Sequence, residues 1–134
     1  MLDQLSVKNF VVVEDLNIEF LHGMTVVTGE TGAGKSIIVQ ALNLAIGGRS
    51  DAALVRNGQS KAEITATFSF DGNQNIQSVL EGLDLEDGNE CILRRVIGSD
   101  GKSRSYVNGS NVTLSTLRDV GCHLIDMHGQ NEHQ

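Results

Sequence analysis

Apolar and polar positions alternate along the opening of the chain. Residues 2–10, LDQLSVKNF, read as a strand with loose alternation, and DLNIEF at 15–20 alternates cleanly, with Leu16, Ile18 and Phe20 on one face. His22-Gly23 turns into MTVVTG, a short unbroken apolar run suited to a buried strand. From Lys35 to Ile46 the spacing becomes helical, with Ile37, Ile38, Ala41, Leu42, Leu44 and Ala45 recurring until Gly47-Gly48 ends the helix. KAEITATFSF at 61–70 returns to alternation and places Ala62, Ile64, Ala66, Phe68 and Phe70 on one face of a strand. NQNIQSVLEGL at 73–83 predicts a short helix, and ECILRRVI, the turn GSDGKS and RSYVNG predict a hairpin. TLSTLRDVG at 113–121, with a Thr start and a Gly stop, predicts another short helix. CHLIDM at 122–127 predicts a last buried strand before the polar ending HGQNEHQ. A domain seldom stops in a polar run straight after a core strand, so the natural protein is expected to continue past Gln134.

At 134 residues there is enough chain for one domain with one core. No run reaches the roughly 18 apolar residues of a membrane helix, and the first ten residues lack the pattern of a signal peptide. Cys91 and Cys122 are far apart without metal-type spacing, and two buried, reduced thiols in a cytoplasmic protein are the expectation. The net charge of −7 repels free nucleic acid, so any DNA contact requires a local basic patch, another segment or a partner. With no Trp and a single Tyr, a stacking platform for single strands is not expected.

One stretch breaks the hydrophobic pattern with flexible backbone and a cation. GETGAGKS, Gly29 to Ser36, fits G-x-x-x-x-G-K-[ST] in full, between an apolar strand and an amphipathic helix. Gly29, Gly32 and Gly34 permit backbone conformations that a Cβ would forbid. The amides of Gly29, Glu30, Thr31, Gly32, Ala33, Gly34, Lys35, Ser36 and Ile37 then form a nest for an anion at the positive end of the helix. Lys35 supplies a mobile cation for β- and γ-phosphates, and the Ser36 hydroxyl is a ligand for Mg²⁺. This is a triphosphate cradle, and the motif alone chooses neither base nor reaction.

Gln130 is expected just beyond the strand at 122–127, at the carboxyl end where α/β folds place ligand groups. A Gln there touches Mg²⁺ or orients the attacking water. DMHGQ at 126–130 also fits the D-x-x-G-Q switch of small GTPases, which keeps a self-contained P-loop NTPase, GTPase-like or kinase, as the alternative. Against that alternative, no N-K-x-D segment occurs, and about ninety residues separate the two motifs.

L-x-V-x-N-F at 5–10, GMTVVTGETGAGKS and ALNLAIGGR resemble the N-terminal head segment of SMC-like ABC ATPases. GGRSDAALVRNG, ECILRRVI, GKSRSYVNG and LIDMHGQNEHQ, in that order, are similar to segments of bacterial DNA-repair members of that family. The resemblance covers essentially the whole chain. It implies an α/β P-loop NTPase fold with an antiparallel subsheet beside a partly parallel core sheet. It also implies ATP and Mg²⁺ as cofactors, and a head interrupted by a long coiled coil that serves double-strand break repair by recombination. By the same resemblance Gly29–Ser36 is Walker A with Lys35 in the catalytic role, Gln130 is the Q-loop glutamine and a second Mg²⁺ contact, and Arg56 reaches toward nucleotide or DNA-coupled activation. Lys8 and Asn9 fall where the first strand approaches the nucleotide. No signature segment and no Walker B acid pair occur in the chain. Residues 1–134 are therefore expected to be half a head, completed by its own C-terminal half and by a second head in an ATP sandwich. DNA is engaged through the full-length assembly, in the cytoplasm and on the nucleoid, with no membrane role.

The remaining chemistry-bearing residues carry plainer expectations. His128 and His133, with Glu132 between them, have no metal-type spacing and read as a polar loop. Arg94, Arg95, Lys102 and Arg104 fall on the hairpin; Arg94 and Arg95 point to opposite faces, and the cluster reads as a solvated edge, with a DNA-backbone contact as the second reading. Met24, Met127, Phe10, Phe20, Phe68 and Phe70 are expected in the core.

Overall fold

Strand register carries the apolar alternation across the whole sheet. The computed structural model describes residues 2–21, 24–27, 34–70 and 74–132, with backbone alone for 21, 24–27, 34–35 and 126–132. The strands are β1 (Leu2–Phe10), β2 (Val13–Leu21), β3 (Met24–Val27), β4 (Lys61–Ser69), β5 (Glu90–Gly98), β6 (Ser103–Val107) and β7 (Ser110–Val112). They form one sheet in the order β3-β2-β1-β4-β5-β6-β7, and every pairing among the described residues is antiparallel. One row of cross-strand partners reads Ile18, Leu5, Ala66, Leu93, Val107, and all five side chains are fully buried. Each large member of such a row contributes about 1.5–3 kcal/mol by leaving water. The next row reads Leu16, Val7, Ile64 and then Arg95 and Ser105, so a guanidinium lies where the pattern calls for an aliphatic chain.

The helices α1 (Gly34–Ala45), α2 (Gln74–Gly82) and α3 (Leu114–Glu132) cover the apolar face. α1 packs on β4 and β5, while α3 packs on β6 and against α2. Ile37, Ala41, Leu44 and Ala45 are the buried stripe of α1. Its end is a Schellman motif: Gly47 lies at φ +106°, its N–H donates to Leu44 O (3.1 Å), and that of Gly48 donates to Asn43 O (2.8 Å).

The expected strand at 122–127 is helical. α3 starts where Thr113 Oγ1 accepts from the Thr116 amide at 3.1 Å, as an N-cap should. It then runs through Gly121, which the sequence presents as a stop. Leu117, Val120 and Leu124 are all fully buried, a helical spacing that continues across the glycine. Gly121 serves close approach instead: a Cβ there would stand 2.7 Å from Ile46 O at the end of α1. The short strand β7 and the 3-10 turn at Ala52–Leu54, capped by Asp51, are further elements beyond those predicted.

The cysteines divide. Both are free; Cys91 is buried, whereas Cys122 is exposed on α3, contrary to the expectation of two buried thiols. Of the aromatic residues, Phe10, Phe68 and Phe70 are buried and Phe20 partly so.

Candidate nucleotide-binding site

The triphosphate motif spans the junction from β3 to α1. Gly29, Glu30, Thr31, Gly32 and Ala33 lie outside the described residues, and Gly34 is the first residue of α1. The first four amides of a helix have no intrahelical acceptor, so this terminus presents donors and the positive end of the dipole to whatever the loop encloses. Lys35 follows in the first turn. Ser36 is exposed there, which leaves its hydroxyl free to meet a ligand, while Ile37 turns its side chain into the core at 7% exposure and leaves only its amide for binding. A hydroxyl in the first turn beside unpaired amides fits a magnesium-bound triphosphate in donor set and charge.

The far end of α1 is held by cations. Arg95 is 1% exposed; its Nη1 donates to Leu44 O (2.9 Å) and Gly48 O (2.8 Å), and its Nη2 to Ser103 Oγ (3.3 Å). Arg118 Nε donates to Gly47 O at 3.2 Å. Burial, and secondarily the neighbouring Arg118 charge, pull the Arg95 pKa below its ordinary value. Guanidinium groups on the last carbonyls complement the negative end of the dipole, so α1 is fixed at the end opposite its N-terminus. The sequence reading placed Arg95 on a solvated edge; β5 lies inside the sheet, and Arg95 shares the inward parity of Cys91, Leu93 and Ile97. That parity was the available signal.

Two residues singled out by resemblance meet. Asn9 (φ +52°) accepts from the Arg56 amide at 2.8 Å, and the Val11 amide donates to Leu54 O at 2.7 Å. The β1–β2 turn is thus clasped to the segment after the 3-10 turn. Val11, at φ +54°, is strained for a β-branched residue, a conformation that costs of order 1–3 kcal/mol. A cavity of about 370 Å³ opens there, lined by Val11, Val12, Arg56 and Asn57, with Val12 74% exposed. Lys8 is exposed on the open sheet face, paired in register with Asp15 and Glu63.

Gln130 belongs to α3, not to a loop after a strand, and its side chain lies outside the described ones, as do those of His128, Glu132, His133, Met24 and Met127. Among the described residues, no group of His, Cys, Asp and Glu is arranged to hold a metal.

An antiparallel sheet whose edge strand β3 is followed in sequence by G-x-x-x-x-G-K-S and then by α1 defines the N-terminal lobe of a P-loop ATPase head. The profile of the family described as AAA domain matches residues 4–131, and the chain belongs to that family. Over all 134 residues it is 50% identical to the DNA repair protein RecN of Vibrio cholerae serotype O1, and 44% identical to that of Bacillus subtilis (strain 168) over 136 aligned positions. The chain spans about a quarter of the length of these relatives, 24% and 23%. A solved structure from work on ATP-driven dimerisation and DNA-stimulated activation of SMC ATPases superposes with a TM-score of 0.68 at 25% identity, over 89% of this chain and 76% of that one. The recombination mediator protein RecF shares the fold at TM-score 0.60 and 18% identity, over 87% of this chain and 29% of that one.

Proposed function

We propose that this chain is the ATP-binding N-terminal half of the head of a RecN-like SMC-family ATPase that acts in recombinational repair of DNA double-strand breaks. What supports the reading is that α1 begins at Gly34-Lys35-Ser36, the last three residues of the G-x-x-x-x-G-K-S pattern in the sequence. Identity to RecN relatives along the whole chain supports the repair context.

In this reading, amides from Gly29 to Ile37 cradle the phosphates and the Lys35 ammonium neutralises charge on the β- and γ-oxygens. Ser36 Oγ and the Gln130 side chain would hold Mg²⁺, which would supply charge neutralisation at the phosphates, and Gln130 would orient the attacking water. Arg56, whose backbone amide is clasped to Asn9, would bring its charge toward the nucleotide. The general base and the opposing signature come from the C-terminal half of the same head and from a second head. DNA meets the full assembly in the cytoplasm.

The test is turnover. The full-length protein hydrolyses ATP in preference to GTP and loses that activity on Lys35→Ala, while the isolated 134-residue chain turns over barely or not at all. Robust Mg²⁺-dependent hydrolysis by the isolated chain, abolished by Lys35→Ala, would show a self-contained enzyme; a preference for guanine would sink the ATPase assignment.

A further inference from the structure

Two Asn-Gly pairs turn the chain, Asn57-Gly58 and Asn108-Gly109, and the fold treats them oppositely. Asn108-Gly109 joins β6 to β7 as a two-residue hairpin loop, with both residues at positive φ, +49° and +84°. The Asn108 side chain is engaged at both ends. Its Oδ1 accepts from the Ile92 amide at 2.8 Å, and its Nδ2 donates to Leu85 O at 2.7 Å. A carboxamide held in this way cannot swing toward the main chain that follows it.

Asn57-Gly58 makes a turn of a different kind. The Gln59 N–H donates to Arg56 O at 2.9 Å, and Gly58 at φ +88° follows an Asn57 of negative φ, the signature of a type II turn. Both residues are exposed, and a Cβ on Gly58 would meet nothing within 4 Å. Among the described residues, neither the Asn57 side-chain amide nor the Gly58 N–H has a hydrogen-bond partner. An electrophilic carboxamide carbon and the backbone nitrogen after it are both free, and residue 58 has no side chain to obstruct their approach.

We propose that Asn57 is a site of spontaneous covalent modification by deamidation, and that Asn108 is shielded from it. A bond forms between Gly58 N and Asn57 Cγ, the Cγ–Nδ2 bond breaks, and ammonia leaves with the proton that the backbone amide gives up. Water then opens the cyclic imide at either carbonyl. One opening gives aspartate; the other gives isoaspartate, in which the main chain runs through the side-chain carbon. Water is consumed and ammonia released, so the step requires neither an enzyme nor an oxidant. The new carboxylate stands beside Arg56 on the wall of the same cavity, and isoaspartate lengthens the backbone next to the Arg56 amide that Asn9 O holds at 2.8 Å. The site lies outside the phosphate motif, and the proposal does not depend on nucleotide binding.

The experiment incubates the full-length protein at mildly alkaline pH, folded and in urea, and follows both sites by peptide mass spectrometry after digestion at acidic pH, where cyclisation is slow. Methyl transfer from S-adenosylmethionine by an isoaspartyl methyltransferase measures the isoaspartate formed. In the folded protein Asn57 should convert at least about tenfold faster than Asn108, which must first give up its two side-chain hydrogen bonds to Ile92 and Leu85. In urea the two rates should converge, because glycine follows both residues and the shielding is gone. Equal rates in the folded protein, or an Asn57 that converts only in urea, would overturn the proposal.

Discussion

Replacing Arg95 by methionine removes the charge under the end of α1 while keeping most of the side-chain volume. The wild-type guanidinium is 1% exposed, satisfies two carbonyls, those of Leu44 and Gly48, and leaves its Nε without a partner among the described residues. A buried acceptor that loses its donor costs about 1–3 kcal/mol, and the loss of a cation at a helix C-terminus adds about 0.3–1 kcal/mol. Against these runs the desolvation of the guanidinium itself, several kcal/mol, which methionine recovers in part. The Gly48 carbonyl loses its donor, while that of Leu44 keeps the Gly47 N–H at 3.1 Å; one orphaned carbonyl plus the dipole term exceeds the recovered part, and the net expectation is a loss of about 1 kcal/mol. Arg95→Ala adds a cavity and should lose about 4 kcal/mol. Urea unfolding of the 134-residue chain, followed by circular dichroism, reads this directly: at an m value of about 2 kcal/mol/M, methionine should lower the midpoint by roughly 0.5 M and alanine by roughly 2 M. If Arg95→Met matches or exceeds wild type in stability, the guanidinium is a desolvated burden and not a clamp, and the account of how α1 is held fails.

Other outcomes follow from the same contacts. Gly121→Ala forces a methyl to 2.7 Å from Ile46 O and should cost about 1–3 kcal/mol in the same unfolding assay; a neutral result would contradict the close crossing of α1 and α3. Burial pushes the Cys91 thiol up to about 12, so a thiol reagent at pH 8 should label Cys122 at once and Cys91 only on unfolding, and stability should fall as pH rises past about 9, where the unfolded thiol ionises and the folded one does not. Burial alone would raise the Glu63 pKa, but the hydrogen bond from Arg94 and the charges of Arg94, Lys61 and Lys8 outweigh it and hold it below the ordinary value. Its stabilising contribution is therefore present above about pH 5 and lost as pH falls through the lowered folded value, and Glu63→Gln should flatten that limb of the pH–stability curve.

Period-2 alternation made β1, β2, β4 and β5 legible, because a half-buried strand must sort its side chains by face. The same logic located α1 from Ile37 through Ala45. It failed at the C-terminus, where CHLIDM holds only six residues: short apolar runs suit strand and helix alike, and Gly121 was weighed as a stop when its reason is the carbonyl of Ile46 beside it. The pattern G-x-x-x-x-G-K-S stands out because its glycines and lysine have little other use between a strand and a helix. Arg95 is ambiguous in the sequence because its charge favours a solvated face while its parity, shared with Cys91, Leu93 and Ile97, turns it inward. The meeting of Asn9 with Arg56 rests on a backbone hydrogen bond between segments far apart in sequence, and no local pattern encodes that.

A crystal structure of the full-length protein with magnesium and a non-hydrolysable ATP analogue decides whether the segment before α1 holds a triphosphate. Phosphate oxygens are expected within hydrogen-bond distance of the amides from Gly32 to Ser36, with Lys35 Nζ on the terminal phosphates and Ser36 Oγ on the metal. An analogue bound elsewhere, or a loop filled by its own side chains, would contradict it.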